Sequence, residues 1–197
     1  MLFQMKKYSE KLLMPLAKKV QKIPANFITV LSFISSILAG IGFAVHIFWF
    51  TLLSLFFIEF FDQLDGIVAR QQGPTRFGAF LDSTLDRYGD IVILIGLWHG
   101  NYISSWIILV IFIGMFMTSY MRARAEALTD VSFGGVGILE RTDRIPLLLL
   151  GVIGQFFYIH SIFISLILLA IGSNITTIQR FLRAYRILVQ NKNGATK

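Results

Sequence analysis

The chain has 197 residues, 55% of them hydrophobic, and a mean hydropathy of +0.70. That apolarity within one domain's length excludes an ordinary soluble fold and implies an integral membrane protein. Eighteen lysines and arginines against eleven acids give a formal charge of +7, and the lack of cysteine excludes disulfides, thiolate metal sites and cysteine nucleophiles.

Residues 1–22 carry six lysines and no continuous apolar core, so no cleavable signal peptide is expected. There, "LFQMKKYSEKLLMPLAKKVQK" sets Leu12, Leu13, Leu16, Ala17 and Val20 at roughly helical spacing against lysines. An amphipathic helix on the membrane surface is expected, with Pro15 as a bend; an ordinary basic flank to the first span is the plainer reading. "IPANFIT" follows, where Pro24 restricts the approach and Asn26 or Thr29 is expected to cap or bond the helix start.

No Asp, Glu, Lys or Arg occurs from Pro24 to Ile58, from Ile91 to Met121, or from Ile145 to Gln179. Each run exceeds one span of ~20 residues and suits two spans joined by a tight turn. A histidine interrupts each near its middle: His46, His99 beside Gly100 and Asn101, and His160. The predicted fold is therefore all-α, with six transmembrane helices over about 25–45, 48–70, 77–98, 102–122, 142–159 and 161–184. It divides into an interfacial helix (1–22), a six-helix transmembrane domain (23–185) and a flexible tail (186–197). "QQGPTR" at 71–76 is the turn between the second and third spans, and 125–140 is the longest polar connection, long enough to cover a site.

All the lysines and arginines then lie at or beyond one membrane face. By the positive-inside tendency that face, with both termini, is cytoplasmic in a multi-pass cell-membrane protein. The positive charge there suits anionic headgroups or a phosphorylated substrate; no nucleic-acid partner is expected.

Carboxylates concentrate in "EFFDQLDGIVARQQGPTRFGAFLDSTLDRYGD", residues 59–90. Asp62 and Asp65 are three apart and Asp82 and Asp86 four apart, so each pair shares a helix face, and the turn between lets the four converge. Such a cluster repels itself unless cations neutralise it. Oxygen-only ligands favour magnesium, manganese or calcium over zinc, and two metals on shared aspartates, with one aspartate partly free as a base, make a phosphoryl-transfer site. Gly66, Ala69, Gly78 and Ala79 leave room for a phosphate or for close helix contact. The plainer alternative is salt bridging to Arg70, Arg76 and Arg87 at a wet interface, which also remains open for Glu59 and Asp90.

"DQLDGIVARQQGPTRFGAFLDSTLD" resembles the signature of the CDP-alcohol phosphotransferase family. Seven residues separate Arg70 from Gly78, one fewer than in many members, without moving the Asp82 and Asp86 register. The resemblance implies that Asp62, Asp65, Asp82 and Asp86 ligate two Mg2+ ions per subunit, Mn2+ being the alternative, with Asp86 also the general base. It further implies that Asn26, Thr29, Asp62, Gly66, Ala69, Arg70, Gly78 and Asp82 bind a CDP-linked lipid, that an acceptor hydroxyl displaces CMP, and that the protein is a homodimer among membrane lipids.

"SYMRARAEALTD" and "GILERTDR" hold a second polar set. Arg122, Arg124, Arg141 and Arg144 flank the fourth and fifth spans and suit bidentate recognition of a phosphate on the acceptor; simple positive-inside flanks are the alternative. These stretches resemble the branch that uses inositol phosphate, with Glu126 and Glu140 bonding inositol hydroxyls or orienting the arginines. The expected reaction passes the lipid phosphoryl group of a CDP-linked diacyl- or dialkylglycerol to inositol 1-phosphate. Glycerol 3-phosphate as acceptor and coupling of inositol phosphate with CDP-inositol are the rivals. A divalent-cation transporter is the non-enzyme rival, but it predicts acids spread through the membrane depth, and here they gather toward one face.

Overall fold

A computed structural model describes residues 2–194, with the side chains of Glu10 and of residues 12–189. Seven α-helices occur among the described residues, and no strand: α1 (Leu2–Val20), α2 (Ala25–Ala44), α3 (Phe48–Gln72), α4 (Arg76–His99), α5 (Ser105–Thr129), α6 (Arg141–Gln155) and α7 (Ser161–Gly194). Helices α2, α5 and the Ser161–Val189 part of α7 are long and apolar enough to cross a membrane. Of the six spans expected, α3 and α4 carry the carboxylates that lower their apolarity. At 15 residues, α6 is shorter than a ~30 Å hydrocarbon core requires.

The elements depart from the sequence reading mainly at their ends. Helix α5 continues through the helix-forming stretch Ala125–Thr129 and stops where Asp130 turns left-handed (φ 52°), so the polar connection is 130–140. Helix α6 ends at Gln155 rather than near 159, and α7 runs past 184 because no proline or glycine follows Gly172 until Gly194. The tail expected from 186 thus begins inside α7, and residues 195–197 lie outside the described residues. Neither Asn26 nor Thr29 caps α2: Pro24 is its N-cap, and the Thr29 hydroxyl donates to the Ala25 carbonyl within the helix. Gln72 does that work from the end of α3. Its side-chain oxygen accepts the Ala25 N–H (3.1 Å) while its amide donates to the carbonyls of Gln21 (2.8 Å) and Ile23 (2.6 Å).

The helices approach through small residues and hydroxyls, the packing expected where lipid supplies no hydrophobic drive between helices. Helix α2 packs against both α3 and α4: Ser32 donates to the Ile58 carbonyl (3.2 Å), and Gly40 and Gly96 bring two backbones together. Helix α5 meets α7 at Gly114, where Thr118 donates to the Ser173 carbonyl (2.9 Å) and Asn174 to that of Val110 (3.1 Å). Helix α6 meets α7 where Gly151 and Gly154 face Ser165 and Ser161. A core including Phe43, Leu55, Leu97, Ile111, Val152 and Leu166 unites these groups, while Phe56, Ile95, Phe116, Leu150 and Ile171 point outward.

Helix α1 lies on α3, with Ala17 buried among Ile28, Leu64, Ile67 and Val68 and with Leu13 and Val20 beside them. Leu12, expected on that apolar face, is 80% exposed. At the ends of the hairpins away from the carboxylates, His46 and Phe48 from one turn contact Tyr102 from the next, and Phe48 and Trp49 contact Phe156 from the third.

A methyl group on Gly96 would lie 2.1 Å from the Gly40 carbonyl oxygen, a contact that only backbone movement relieves. Gly96→Ala is therefore expected to destabilise the protein by about 1–3 kcal/mol, read as a lower melting temperature in detergent. Gly134→Ala, whose added methyl meets only side chains at 3.5 Å or beyond, should leave it within error.

Candidate active site

The turn that joins α3 to α4 is only Gly73–Thr75. Gly73 takes φ 92°, which favours glycine, and Thr75 caps α4 by accepting the Gly78 N–H (3.0 Å). The two helices do not pack against each other as the sequence reading expected: each packs on α2, and their aspartates face one another across the cleft left between them. Carboxylate oxygens of Asp62, Asp82 and Asp86 lie within 4.8 Å of one another. Asp65 sits beside them, 6% exposed, with one carboxylate oxygen buried and without a hydrogen-bond partner.

Two cavities meet at these aspartates. The smaller, about 240 Å³, runs between α2, α3 and α4 past Asn26, Thr29, Ala69, Gln72 and Gly78. The larger, about 490 Å³, opens toward α5, α6 and α7 past Arg70, Ser83, Ser119, Arg122, Thr142 and Arg180. Asp65, Gly66, Ala79 and Asp82 border both. A Cβ on Gly78 would press on Asn26 Oδ1 at 3.1 Å, so there glycine serves helix contact. A Cβ on Gly66 would meet only Arg70, at 3.5 Å; that small residue keeps the junction of the cavities open.

Asp62, Asp86 and Asp90 are not paired as the plainer reading supposed. Arg70 pairs with Glu10 of α1 (2.5 Å), and Arg87 donates to Ser83. Arg141, at the start of α6, reaches across instead, donating to Asp62 (3.2 Å) and pairing closely with Asp86. Asp90, one turn below Asp86, pairs with Arg144 (2.6 Å). Glu59 accepts a hydrogen bond from Gln63 (2.7 Å).

The four arginines expected at an acceptor phosphate take different positions. Arg122 and Arg141 line the larger cavity. Arg144 forms part of its floor, 1% exposed, with its guanidinium on Asp90 and on the Met115 carbonyl (3.1 Å). Arg124 is exposed and lines neither cavity.

Sequence reasoning missed Arg180. It reaches the larger cavity from α7, 3% exposed, and donates to the carbonyls of Val136 (2.9 Å) and Thr118 (2.7 Å) and to Glu140 (2.8 Å). Its one signal was its place as the first charge after an uncharged run, which also describes an ordinary flank. Arg180 holds the 130–140 connection against the bundle together with Thr176, which accepts the Leu139 N–H (3.0 Å), and Gln179, which accepts that of Ile138 (3.1 Å). Glu126 accepts from Phe133 N–H (2.8 Å) and Arg122 (3.1 Å), and Glu140 from Gly135 N–H (2.9 Å), so both carboxylates already orient the connection and the arginines.

The donor set fits a hard divalent cation. Every candidate ligand is a carboxylate oxygen, three of the groups already converge, and the fourth offers a buried oxygen that nothing else satisfies.

Residues 22–179 match the family model described as CDP-alcohol phosphatidyltransferase. The chain is 36% identical over 191 residues to the archaetidylinositol phosphate synthase of Methanothermobacter thermautotrophicus, covering 95% of this chain and 96% of that one. Among solved structures it resembles the Mycobacterium tuberculosis phosphatidylinositol phosphate synthase with CDP-DAG bound. That match has a TM-score of 0.78 and 28% identity, over 89% of this chain and 94% of that one. The same enzyme in complex with manganese and citrate matches with a TM-score of 0.76 and 29% identity, over 87% and 88% of the two chains. A match across most of the length, to both the aspartate hairpin and the helices that enclose it, settles the kinship: this chain belongs to the CDP-alcohol phosphatidyltransferase family.

Proposed function

We propose that the protein transfers the lipid phosphoryl group of a CDP-linked diacyl- or dialkylglycerol to inositol 1-phosphate, releasing CMP. The observation that carries this reading is the convergence of Asp62, Asp82 and Asp86 where two unlike cavities meet. The smaller cavity, walled by Asn26, Ala69 and Gly78, suits a nucleotide held by close backbone approach; the larger presents Arg122, Arg141 and Arg180, which suit a phosphate. Relatives named for inositol phosphate lipids favour inositol 1-phosphate over glycerol 3-phosphate.

Asp62, Asp65, Asp82 and Asp86 are the residues to hold two Mg2+ ions, or Mn2+ in their place. When bound, such ions supply charge neutralisation for the diphosphate and for the departing CMP. Asp62 and Asp82 border the diphosphate, with Gly66 leaving space for it and Arg70 at the rim. Asp86 accepts the proton of the acceptor hydroxyl. The acceptor oxygen forms a bond to the lipid-side phosphorus as that phosphorus loses its oxygen bridge to CMP, and the proton leaves through Asp86. Arg141 exchanges the Asp62 and Asp86 carboxylates for the acceptor phosphate once those carboxylates have another counter-charge.

The setting follows from the same charge distribution. Helices α2 to α7 form the 23–185 membrane domain, with the 15-residue α6 crossing only part of the hydrocarbon core; α1 lies on the cytoplasmic surface with Lys18 and Lys19 toward headgroups, and the active site and both termini are cytoplasmic. The protein acts as a homodimer.

Mn2+ titrated into the detergent-solubilised protein and followed by electron paramagnetic resonance should bind, and Asp82→Asn should weaken it roughly tenfold or more. Binding unchanged by that substitution would remove the aspartates from the metal site. CMP release from a CDP-linked lipid with magnesium should occur with inositol 1-phosphate and not with glycerol 3-phosphate, free inositol or serine. Release with another acceptor alone would sink the inositol assignment. Asp86→Asn should lower turnover by about 10²–10⁴-fold while sparing much of the CDP-lipid binding. Loss of that binding as well would give Asp86 a role in metal and pocket integrity instead.

A further inference from the structure

Below the cleft lies a second ion pair that the proposed chemistry does not use. Asp86 and Asp90 are four apart on α4, and Arg141 and Arg144 three apart on α6, so each helix turns two like charges to the same side. The upper rung joins Arg141 to Asp86 and Asp62; the lower joins Arg144 to Asp90 at 2.6 Å. Arg144 is sealed from solvent and further held by the Met115 carbonyl of α5. Beside Asp86, Asp90 and Arg141 is a cavity of about 10 Å³, room for one water, lined by Ser32 and Ser36 on one side and by Ile58, Ile93 and Ile145 on the other. Asp90 and Arg141 therefore border one small cavity, with Asp90 as the next carboxylate inward from Asp86.

We propose that Asp90 and Arg144 are a positioning pair. Arg144 neutralises Asp90, so that Arg141 stays level with Asp62 and Asp86, where the acceptor phosphate meets it. This rests on the function proposed above. A buried ion pair is a weak source of stability, because two desolvated charges recover little more than an apolar pair of equal volume would give. Removing one partner, by contrast, leaves a bare buried charge that seeks another. With Arg144 gone, Asp90 draws Arg141 inward and away from the acceptor; with both charges gone, nothing competes for Arg141.

The test compares wild type with Arg144→Met, Arg144→Lys and the double variant Asp90→Asn/Arg144→Met. Each is assayed for KM toward inositol 1-phosphate and toward the CDP-linked lipid, and for calorimetric binding of inositol 1-phosphate. Arg144→Met should raise the acceptor KM and weaken acceptor binding about tenfold or more, with the CDP-lipid KM within about twofold of wild type. Arg144→Lys, which keeps the charge, should be milder, and the double variant should return the acceptor KM to within about threefold of wild type. If Arg144→Met fails to fold, the double variant carries no lone buried charge and decides the matter by the same acceptor KM. A double variant as impaired as the single, equal rises in both KM values, or loss of stability with both KM values unchanged would overturn the pairing role. A wild type that turns over no phosphorylated acceptor would overturn the functional reading and this inference together, whereas unchanged ratios against an active wild type overturn this inference alone.

Discussion

Carboxylates brought this close cannot all stay charged without a counter-charge, and the rest of the molecule is arranged around that constraint. Asp62, Asp82 and Asp86 converge within 4.8 Å, with Asp65 nearly buried beside them. Arg141 is the cation the protein itself supplies, and it arrives from a helix distant in sequence. The start of α6 is accordingly fixed from several directions: Glu140 N–H donates to Asp143 (2.8 Å), the Glu140 carboxylate holds Arg180 and Gly135, and Arg144 anchors the helix from below. A site that keeps a guanidinium among carboxylates suited to a cation can exchange one counter-charge for another without leaving a bare carboxylate in between.

The helical scaffold makes this arrangement possible because it satisfies its polar groups internally. Ser32, Thr118, Asn174 and Thr177 all donate across helix interfaces to backbone carbonyls, so small polar residues do the joining that large apolar ones do in a soluble core. Glycines at the crossings let α2 approach α4, and α7 approach α5 and α6. Beyond the buried apolar core, many further large apolar side chains, Phe56, Ile95 and Leu150 among them, point outward, as a lipid environment requires. Charge gathers at one end of the bundle and aromatic contacts tie the hairpin turns at the other, giving the fold its two unlike ends.

Much of this was legible in the sequence because helical spacing and charge-free runs are local signals. The uncharged runs broken at His46, His99 and His160 located the three hairpins, and the offsets within Asp62/Asp65 and Asp82/Asp86 placed each pair on one face. What periodicity cannot reveal is which faces of distant helices meet. Arg141 and Arg144 looked alike as neighbours in "LERTDR", yet one opens to the cleft and the other is sealed beneath it. Arg124, two residues from Arg122, turns away from the cavities altogether. Arg180 was indistinguishable from a basic flank until α7 was placed against α5 and the 130–140 connection. Helix ends shifted for simpler reasons: good helix formers extended α5, and α7 met no breaker between Gly172 and Gly194.

The central claim is that Arg141, which pairs with Asp62 and Asp86, would be released to an acceptor phosphate if those carboxylates held a divalent cation. Crystals of the protein soaked with Mn2+ and collected at the manganese edge test it most directly. The account predicts anomalous density among Asp62, Asp82 and Asp86, with the Arg141 guanidinium withdrawn from Asp62 and Asp86 toward the cavity shared with Arg122 and Arg180. Manganese bound elsewhere, with Arg141 still bridging Asp62 and Asp86, would contradict it.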